Sequence, residues 1–181
     1  MNYYRLDKKI KCNSRENGVA LWMSGCTAGC EECSCPEIQN FSLGTSFTKQ
    51  TMIEILEALT QTDIKRFVIK GGNPLDLLNI HTTYDICRNV KSARPDIDVW
   101  IYTNSFMSVN VFKDYKPVSG AFGGYYNALR EVVRGCDYIV DRTCSEADKG
   151  TFLGRKFLSN QRLIDVKNTI KTGKIQLLEE K

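Results

Sequence analysis

Cys26, Cys30 and Cys33 stand in a C-x3-C-x2-C arrangement within Ser24-Gly25-Cys26-Thr27-Ala28-Gly29-Cys30-Glu31-Glu32-Cys33. Three thiolates at this spacing suit a 4Fe-4S cluster in which one iron has no protein ligand. An iron left open can bind a substrate, just as a catalytic zinc site differs from a structural one by keeping a free position. The spacing therefore points to chemistry rather than to electron storage. Positions 26, 30 and 33 would also share one helix face. However, Gly25 and Gly29 interrupt the stretch and no apolar stripe accompanies the thiols, so a metal-wrapping loop is expected. Zinc is the competing metal, because Cys35 would complete a set of four sulfurs. Structural zinc sites usually pair two separated C-x2-C knuckles, and no second knuckle exists here. A simple electron carrier would also need a fourth protein ligand, for which Cys35 is again the candidate.

The elements that must position this loop fit one domain, residues 1–181. The chain has 181 residues, 42% hydrophobic and 25% charged, which is ordinary globular usage and enough for a real core. Its amino terminus, residues 1–9, lacks the apolar stretch of a secretory signal, and no apolar run is long enough to span a bilayer. A cytoplasmic protein is expected, and in a reducing compartment clustered thiols ligate metal more often than they pair. Cys12, Cys87, Cys136 and Cys144 are scattered and read as packing residues; without paired short spacings they argue against a second cluster. The net charge of +4 comes without a long basic run, so nothing suggests nucleic-acid binding.

Strand-like and helix-like segments alternate along the chain. Val19-Ala20-Leu21-Trp22-Met23 reads as a buried strand leading into the cysteine loop. Thr48 would cap a helix carrying Met52, Ile55, Leu56 and Leu59 on one face. Residues 66–70 form the second strand, ended by Gly71-Gly72-Asn73-Pro74, and a helix follows near 80–93. Val99-Trp100-Ile101-Tyr102-Thr103 is the third strand, halted by Asn104. A helix over 127–134 precedes the fourth strand, 137–141. Such repeats imply right-handed crossovers and a mainly parallel sheet with its functional loops at the strands' carboxyl ends. The cysteine loop, Gly71-Gly72-Asn73-Pro74, Thr103-Asn104 and Asp141-Arg142 all fall there. With four or five strands visible, an α/β fold with an incomplete (β/α) barrel is expected.

The cysteine triplet after the first strand, together with Gly71-Gly72-Asn73-Pro74 after the second, resembles the radical S-adenosylmethionine enzymes. Near the carboxyl end, Leu158-Ser159-Asn160-Gln161-Arg162 is similar to the Ser-x-Asn-Gln-Arg segment of activating enzymes for anaerobic (class III) ribonucleoside-triphosphate reductase, although here Ser159 adjoins Asn160. The resemblance runs from the Asn17-Gly18 turn to about Val166. The triplet and the Asn-Gln-Arg run are its specific parts. Activation of another glycyl-radical enzyme, such as pyruvate formate-lyase, is the alternative, which the short chain and the Asn-Gln-Arg run disfavour.

What the resemblance implies is one 4Fe-4S cluster held by Cys26, Cys30 and Cys33, with the open iron chelating the methionine moiety of S-adenosylmethionine. Reductive cleavage would yield a 5′-deoxyadenosyl radical, which takes hydrogen from a glycine of the large catalytic subunit of the reductase. An electron donor such as flavodoxin would feed the cluster. Gly71 and Gly72 would let backbone approach the cofactor closely. The family usually carries Glu or Asp after this pair, where it meets the methionine ammonium; Asn73 keeps an acceptor there without the charge. Many members place an aromatic residue where this chain has Glu32, so Glu32 and Ser34, flanking Cys33, would meet the nucleoside by polar and backbone groups. Thr103 and Asn104 would reach the cofactor from the third strand. Asn160, Gln161 and Arg162 would contact the partner or the cofactor's edge. His81, the only histidine, is expected to be surface decoration.

Overall fold

The computed structural model describes residues 1–12, 17–30, 33–105, 107–113, 117, 119–141, 149–152, 155–158 and 161–178. The expected helices and strands all form. Strand β1 (Asn2–Lys11) runs antiparallel to β2 (Asn17–Met23), with Leu6 opposite Leu21, and a short β3 (Thr45–Ser46) pairs with its outer edge. Helix α1 (Lys49–Ala58) leads to β4 (Ile64–Gly71), α2 (Ile80–Ala93) to β5 (Asp98–Tyr102), and α3 (Gly123–Gly135) to β6 (Tyr138–Asp141). A hairpin of β7 (Lys149–Phe152) and β8 (Arg155–Leu158) stands apart, and β9 (Arg162–Asp165) closes the main sheet before α4 (Val166–Thr172).

The seven-stranded sheet has the order β3-β1-β2-β4-β5-β6-β9. Its centre is parallel: β2, β4, β5 and β6 pair in sequence, while β1 and β9 flank them antiparallel. Among the described strands β3 and β9 end the sheet and do not pair with each other, so it is open rather than closed into a ring. Two of the outer strands, β1 and β9, are additions to the sequence-based reading. The charges of Arg5, Asp7, Lys8 and Lys9 break up the alternation in β1, and partial exposure lets the strand tolerate them.

Alternation sorts the side chains of the parallel strands onto two faces. Val19, Leu21, Met23, Phe67, Ile69, Val99, Ile101 and Ile139 meet Ile55 of α1, Ile86 and Val90 of α2, Val132 and Val133 of α3, and Val166 of α4 in one buried core. Each such fully buried aliphatic side chain contributes about 1.5–3 kcal/mol relative to exposure. The other face gathers Ala20, Val68, Trp100, Val140 and Leu163, with Trp22, Tyr102 and Tyr138 beside them, and this cluster contains strand residues alone. All four helices thus lie on one side, and the opposite face remains available to line a site. Thr48 caps α1 as the sequence suggests: its hydroxyl accepts from Thr51 N at 3.3 Å. Cys12, Cys87 and Cys136 are buried packing residues, as read from their scatter, and Cys144 lies outside the described residues. Among the described residues no helix is long and apolar enough to cross a membrane.

Candidate metal and cofactor site

The parallel strands deliver three loops to one edge of the sheet. The cysteine loop leaves β2, the Gly72-Asn73-Pro74 turn leaves β4, and Thr103-Asn104-Ser105 leaves β5. Between them lies a cavity of about 310 Å³ lined by Cys26, Cys30, Cys33, Ser34, Gly71, Gly72, Thr103 and Asn104, together with Trp22, Ile38, Gln39, Lys70, Tyr102 and Gln161. Motifs separated by nearly eighty positions therefore share one wall. Asn104 Nδ2 donates to Cys26 Sγ at 3.1 Å, a direct link between the first and third loops.

Backbone hydrogen bonds fasten the cysteine loop at its root. Gly25 N donates to Ile38 O at 2.8 Å and Cys26 N to Gln39 O at 3.1 Å. The glycine turn then locks onto the same root, with Gly72 N on Met23 O at 2.7 Å and Asn73 N on Gly25 O at 2.8 Å. This close approach explains the glycine pair. Gly71 sits at φ +106°, where a Cβ would lie 2.6 Å from Met23 O, and a Cβ on Gly72 would fall on the Gly25 carbonyl. The glycines keep the two loops in contact with each other; their place on the cavity wall follows from that.

Two buried polar side chains complete the clamp. Asn79, the N-cap residue of α2, does not cap its helix. Its Nδ2 instead faces three carbonyls: Ser24 O at 3.1 Å, Gly25 O at 3.2 Å and Asn73 O at 3.0 Å. Asp76 Oδ2 accepts from Thr27 N at 3.0 Å and Thr27 Oγ1 at 2.7 Å, tying the glycine turn to the cysteine loop a second time. Sequence reasoning passed over both residues. Their signal was an Asp and an Asn embedded in the apolar run Leu75-Asp76-Leu77-Leu78-Asn79-Ile80, where buried polar groups need a partner.

Asn73 is 6% exposed and is not among the described residues that line the cavity. Its Oδ1 accepts from Thr103 Oγ1 at 2.8 Å and Leu75 N at 3.2 Å, while Nδ2 donates to Ser105 Oγ at 3.3 Å. The amide joins the second and third loops. Asp141 is likewise absent from the described lining: fully buried, it is held by a two-pronged pair with Arg162 and by Met107 N at 2.7 Å. Of the Asn-Gln-Arg run, Gln161 lines the cavity and Arg162 holds Asp141 and Met107 O. Glu32, Asn160 and Arg142 lie outside the described residues. Cys35 is not on the wall; its Sγ donates to Glu37 Oε1 at 3.1 Å, and partial burial, reinforced by that carboxylate, raises its pKa. His81 is exposed on the first turn of α2.

The model of the family described as 4Fe-4S single cluster domain matches residues 15–164. An anaerobic ribonucleoside-triphosphate reductase-activating protein of Haemophilus influenzae is 33% identical over 105 residues, which make up 57% of this chain and 68% of that protein. The chain belongs to this family of activating proteins. The Pasteurella multocida protein of the same name is 31% identical over 57% of this chain and 66% of its own length. That of Enterobacteria phage T4 is 28% identical over 141 residues, 76% of this chain and 90% of the relative.

The donor chemistry fits the cluster that the family's description names, because three cysteine sulfurs line one cavity whose root is closed by backbone hydrogen bonds. The sulfurs are not gathered into a ligand set. Among the described residues no three His, Cys, Asp or Glu side chains are grouped to hold a metal ion, and Cys26 and Cys33 are free thiols. A cluster ligand must be a thiolate, and loading requires the turn about Gly29 to draw the three sulfurs together. Gly29, at φ +59° with open space around it, leaves that turn unobstructed.

Proposed function

We propose that this protein is the activating enzyme of an anaerobic ribonucleoside-triphosphate reductase, using one 4Fe-4S cluster and S-adenosylmethionine to install a glycyl radical on the reductase's large catalytic subunit. The observation that carries this reading is the meeting of the three cysteines with Gly71, Gly72, Thr103 and Asn104 around one cavity at the ends of parallel strands. The match to a 4Fe-4S family favours iron-sulfur over zinc, and the relatives' name favours the reductase over another glycyl-radical enzyme. In this reading the open, partly parallel sheet belongs to an incomplete barrel of radical S-adenosylmethionine type within a single domain, residues 1–181; the parallel order of β2, β4, β5 and β6 supports it.

In this reading Cys26, Cys30 and Cys33 would hold the cluster, leaving one iron without a protein ligand. When bound, the reduced cluster supplies the electron that splits S-adenosylmethionine into methionine and a 5′-deoxyadenosyl radical, which becomes 5′-deoxyadenosine on taking a hydrogen atom from the partner's glycine. The chain's own groups do the rest. Gly71 and Gly72 bring bare backbone to the cofactor, Thr103 and Asn104 approach it from β5, and Ser34, with Glu32, flanks the nucleoside. Asn73 holds the loops of β4 and β5 in register. Asn104 orients Cys26 through its amide. The apolar wall of Trp22, Ile38 and Tyr102 excludes water from a radical that would otherwise be quenched. A flavodoxin-like donor supplies the electron, and the reducing cytoplasm keeps the thiols available.

The test is to mix the anaerobically reconstituted protein with a class III reductase, S-adenosylmethionine and a reductant, and to follow glycyl-radical formation by paramagnetic resonance. A glycyl signal with the wild type and none with Cys26→Ala is expected. No signal, with a cluster demonstrably present, would overturn the assignment of the partner.

A further inference from the structure

Asn104 stands just past the end of β5 and donates its side-chain Nδ2–H to Cys26 Sγ at 3.1 Å, across 78 positions of sequence. Both residues line the cavity. The amide is carried on backbone that is fixed on either side. Thr103 N donates to Val140 O at 2.9 Å and Thr103 Oγ1 to Asn73 Oδ1 at 2.8 Å, while Ser105 N donates to Thr103 Oγ1 at 3.1 Å and Ser105 Oγ accepts from Asn73 Nδ2 at 3.3 Å. The cysteine is anchored as firmly. Cys26 N donates to Gln39 O at 3.1 Å, and the next residue, Thr27, gives its N–H and its hydroxyl to Asp76 Oδ2 at 3.0 and 2.7 Å. The turn that must move when the three sulfurs gather lies beyond these anchors, at Gly29, where open space surrounds the backbone. Cys30 and Cys33 therefore travel, and Cys26 keeps its place against the amide.

An N–H aimed at sulfur does little for a neutral thiol, which is a weak acceptor, and more for a thiolate, where the bond is assisted by charge. We infer that Asn104 is a positioning residue whose amide stays on the Cys26 sulfur when that sulfur holds the cluster, and so raises the cluster's reduction potential. The inference rests on the functional reading above, in which a 4Fe-4S cluster occupies this cavity, and deepens it by naming a group that sets the cluster's potential. The sign follows from charge. Taking one electron from the reductant makes the cluster one unit more negative, part of that charge falls on the sulfurs, and the bond to the more negative state is the stronger one; hydrogen bonds to the sulfurs are among the levers that set such potentials. The amide is itself neutral, so it favours the reduced state without placing a charge in the cavity. The other use of the same amide would be a hydrogen bond to S-adenosylmethionine, and the experiment separates the two.

Asn104→Leu keeps the shape of the side chain without the donor, and Asn104→Asp turns a negatively charged acceptor toward the same sulfur. Wild type and both variants are reconstituted anaerobically, iron per chain is determined, and the midpoint potential is measured by dithionite titration followed by paramagnetic resonance, all without S-adenosylmethionine. Iron content should match the wild type. The cluster of Asn104→Leu should be about tenfold harder to reduce, a fall of about 59 mV for a one-electron couple, and that of Asn104→Asp should fall at least as far. An unchanged or raised potential in Asn104→Leu would overturn the inference, as would an Asp variant easier to reduce than the Leu variant. Wild-type potentials combined with weaker S-adenosylmethionine binding would also overturn it, giving the amide to the cofactor instead. Loss of the cluster from both variants would overturn it in favour of a role in cluster assembly. A wild type that takes up no cluster would overturn the functional reading first, and this inference with it. A cluster that forms but ignores S-adenosylmethionine would defeat the cofactor reading alone, because the potentials are taken without the cofactor.

Discussion

Replacing Asn79 by alanine removes the donor that holds the cysteine loop to the glycine turn, and its cost can be worked from the geometry. The amide carries two protons for three carbonyls at 3.0–3.2 Å. Gly25 O keeps a second partner in Asn73 N and Asn73 O keeps one in Asp76 N, whereas Ser24 O loses this buried donor. One buried carbonyl deprived of its donor costs about 1–3 kcal/mol. Part of this is recovered, because Asn79 Oδ1 is itself buried without a partner and disappears with the substitution. The net destabilisation is about 1–2 kcal/mol, enough to see against a total of about 5–15 kcal/mol and not enough to unfold the chain. Urea unfolding of the metal-free protein should show its midpoint lowered by about 0.5–1 M at unchanged slope, given a slope of about 2 kcal/mol/M. Hydrogen exchange at Gly72 N and Asn73 N should accelerate more than exchange in the β5 core. Asn79→Asp, which turns acceptors toward the same carbonyls, should cost more than alanine. A loss below about 0.5 kcal/mol, or a milder effect for aspartate than for alanine, would refute the clamp.

Other consequences are open to simpler tests. Alanine at Cys26, Cys30 or Cys33 should abolish the iron-sulfur absorption after reconstitution, while Cys35→Ala, whose sulfur faces Glu37 away from the cavity, should keep it. Arg162→Ala would leave the fully buried Asp141 carboxylate without its cation, and urea unfolding should register a loss of about 3–5 kcal/mol, far above that of an exposed pair. Burial pushes the Cys87 thiol up to about 12 and raises Cys136 in the same direction. A thiol whose folded pKa exceeds its unfolded value contributes stability that is intact below about pH 9 and lost as pH rises toward about 12. Stability under reducing conditions should therefore fall above pH 9 by about 1.4 kcal/mol per pH unit for each such thiol, and Cys87→Ala should flatten the slope.

The parallel centre of the fold was legible because its strands are continuous apolar runs ended by glycine, asparagine or aspartate, and because α1 announces itself through Thr48 and a regular apolar face. The edge strands were not. In β1 the charged residues conceal the alternation, and β9 is only four residues long, so its pairing with β6 is a tertiary decision. At the site, the cysteines and glycines declared themselves by spacing, and topology brought Thr103 and Asn104 to the cavity wall. The hydrogen bonds of Asn73 to Thr103 and Ser105, about thirty residues away, could not be read from its neighbours in sequence. Lys70 was hidden in an apolar strand; a two-residue period would have put it on the face of Trp22 and Tyr102. Asp76 and Asn79 show in the sequence only as polar residues in an apolar run, while the loop groups they hold, Thr27 and the carbonyls of Ser24, Gly25 and Asn73, are set by the fold.

The central claim, an open-iron cluster that engages S-adenosylmethionine, is tested most directly by paramagnetic resonance of the anaerobically reconstituted, reduced protein with and without the cofactor, alongside assay of 5′-deoxyadenosine. The account predicts about four irons per chain, a reduced-cluster signal that changes on adding S-adenosylmethionine, and 5′-deoxyadenosine formed in the same sample. A signal indifferent to the cofactor, with no 5′-deoxyadenosine, would contradict it.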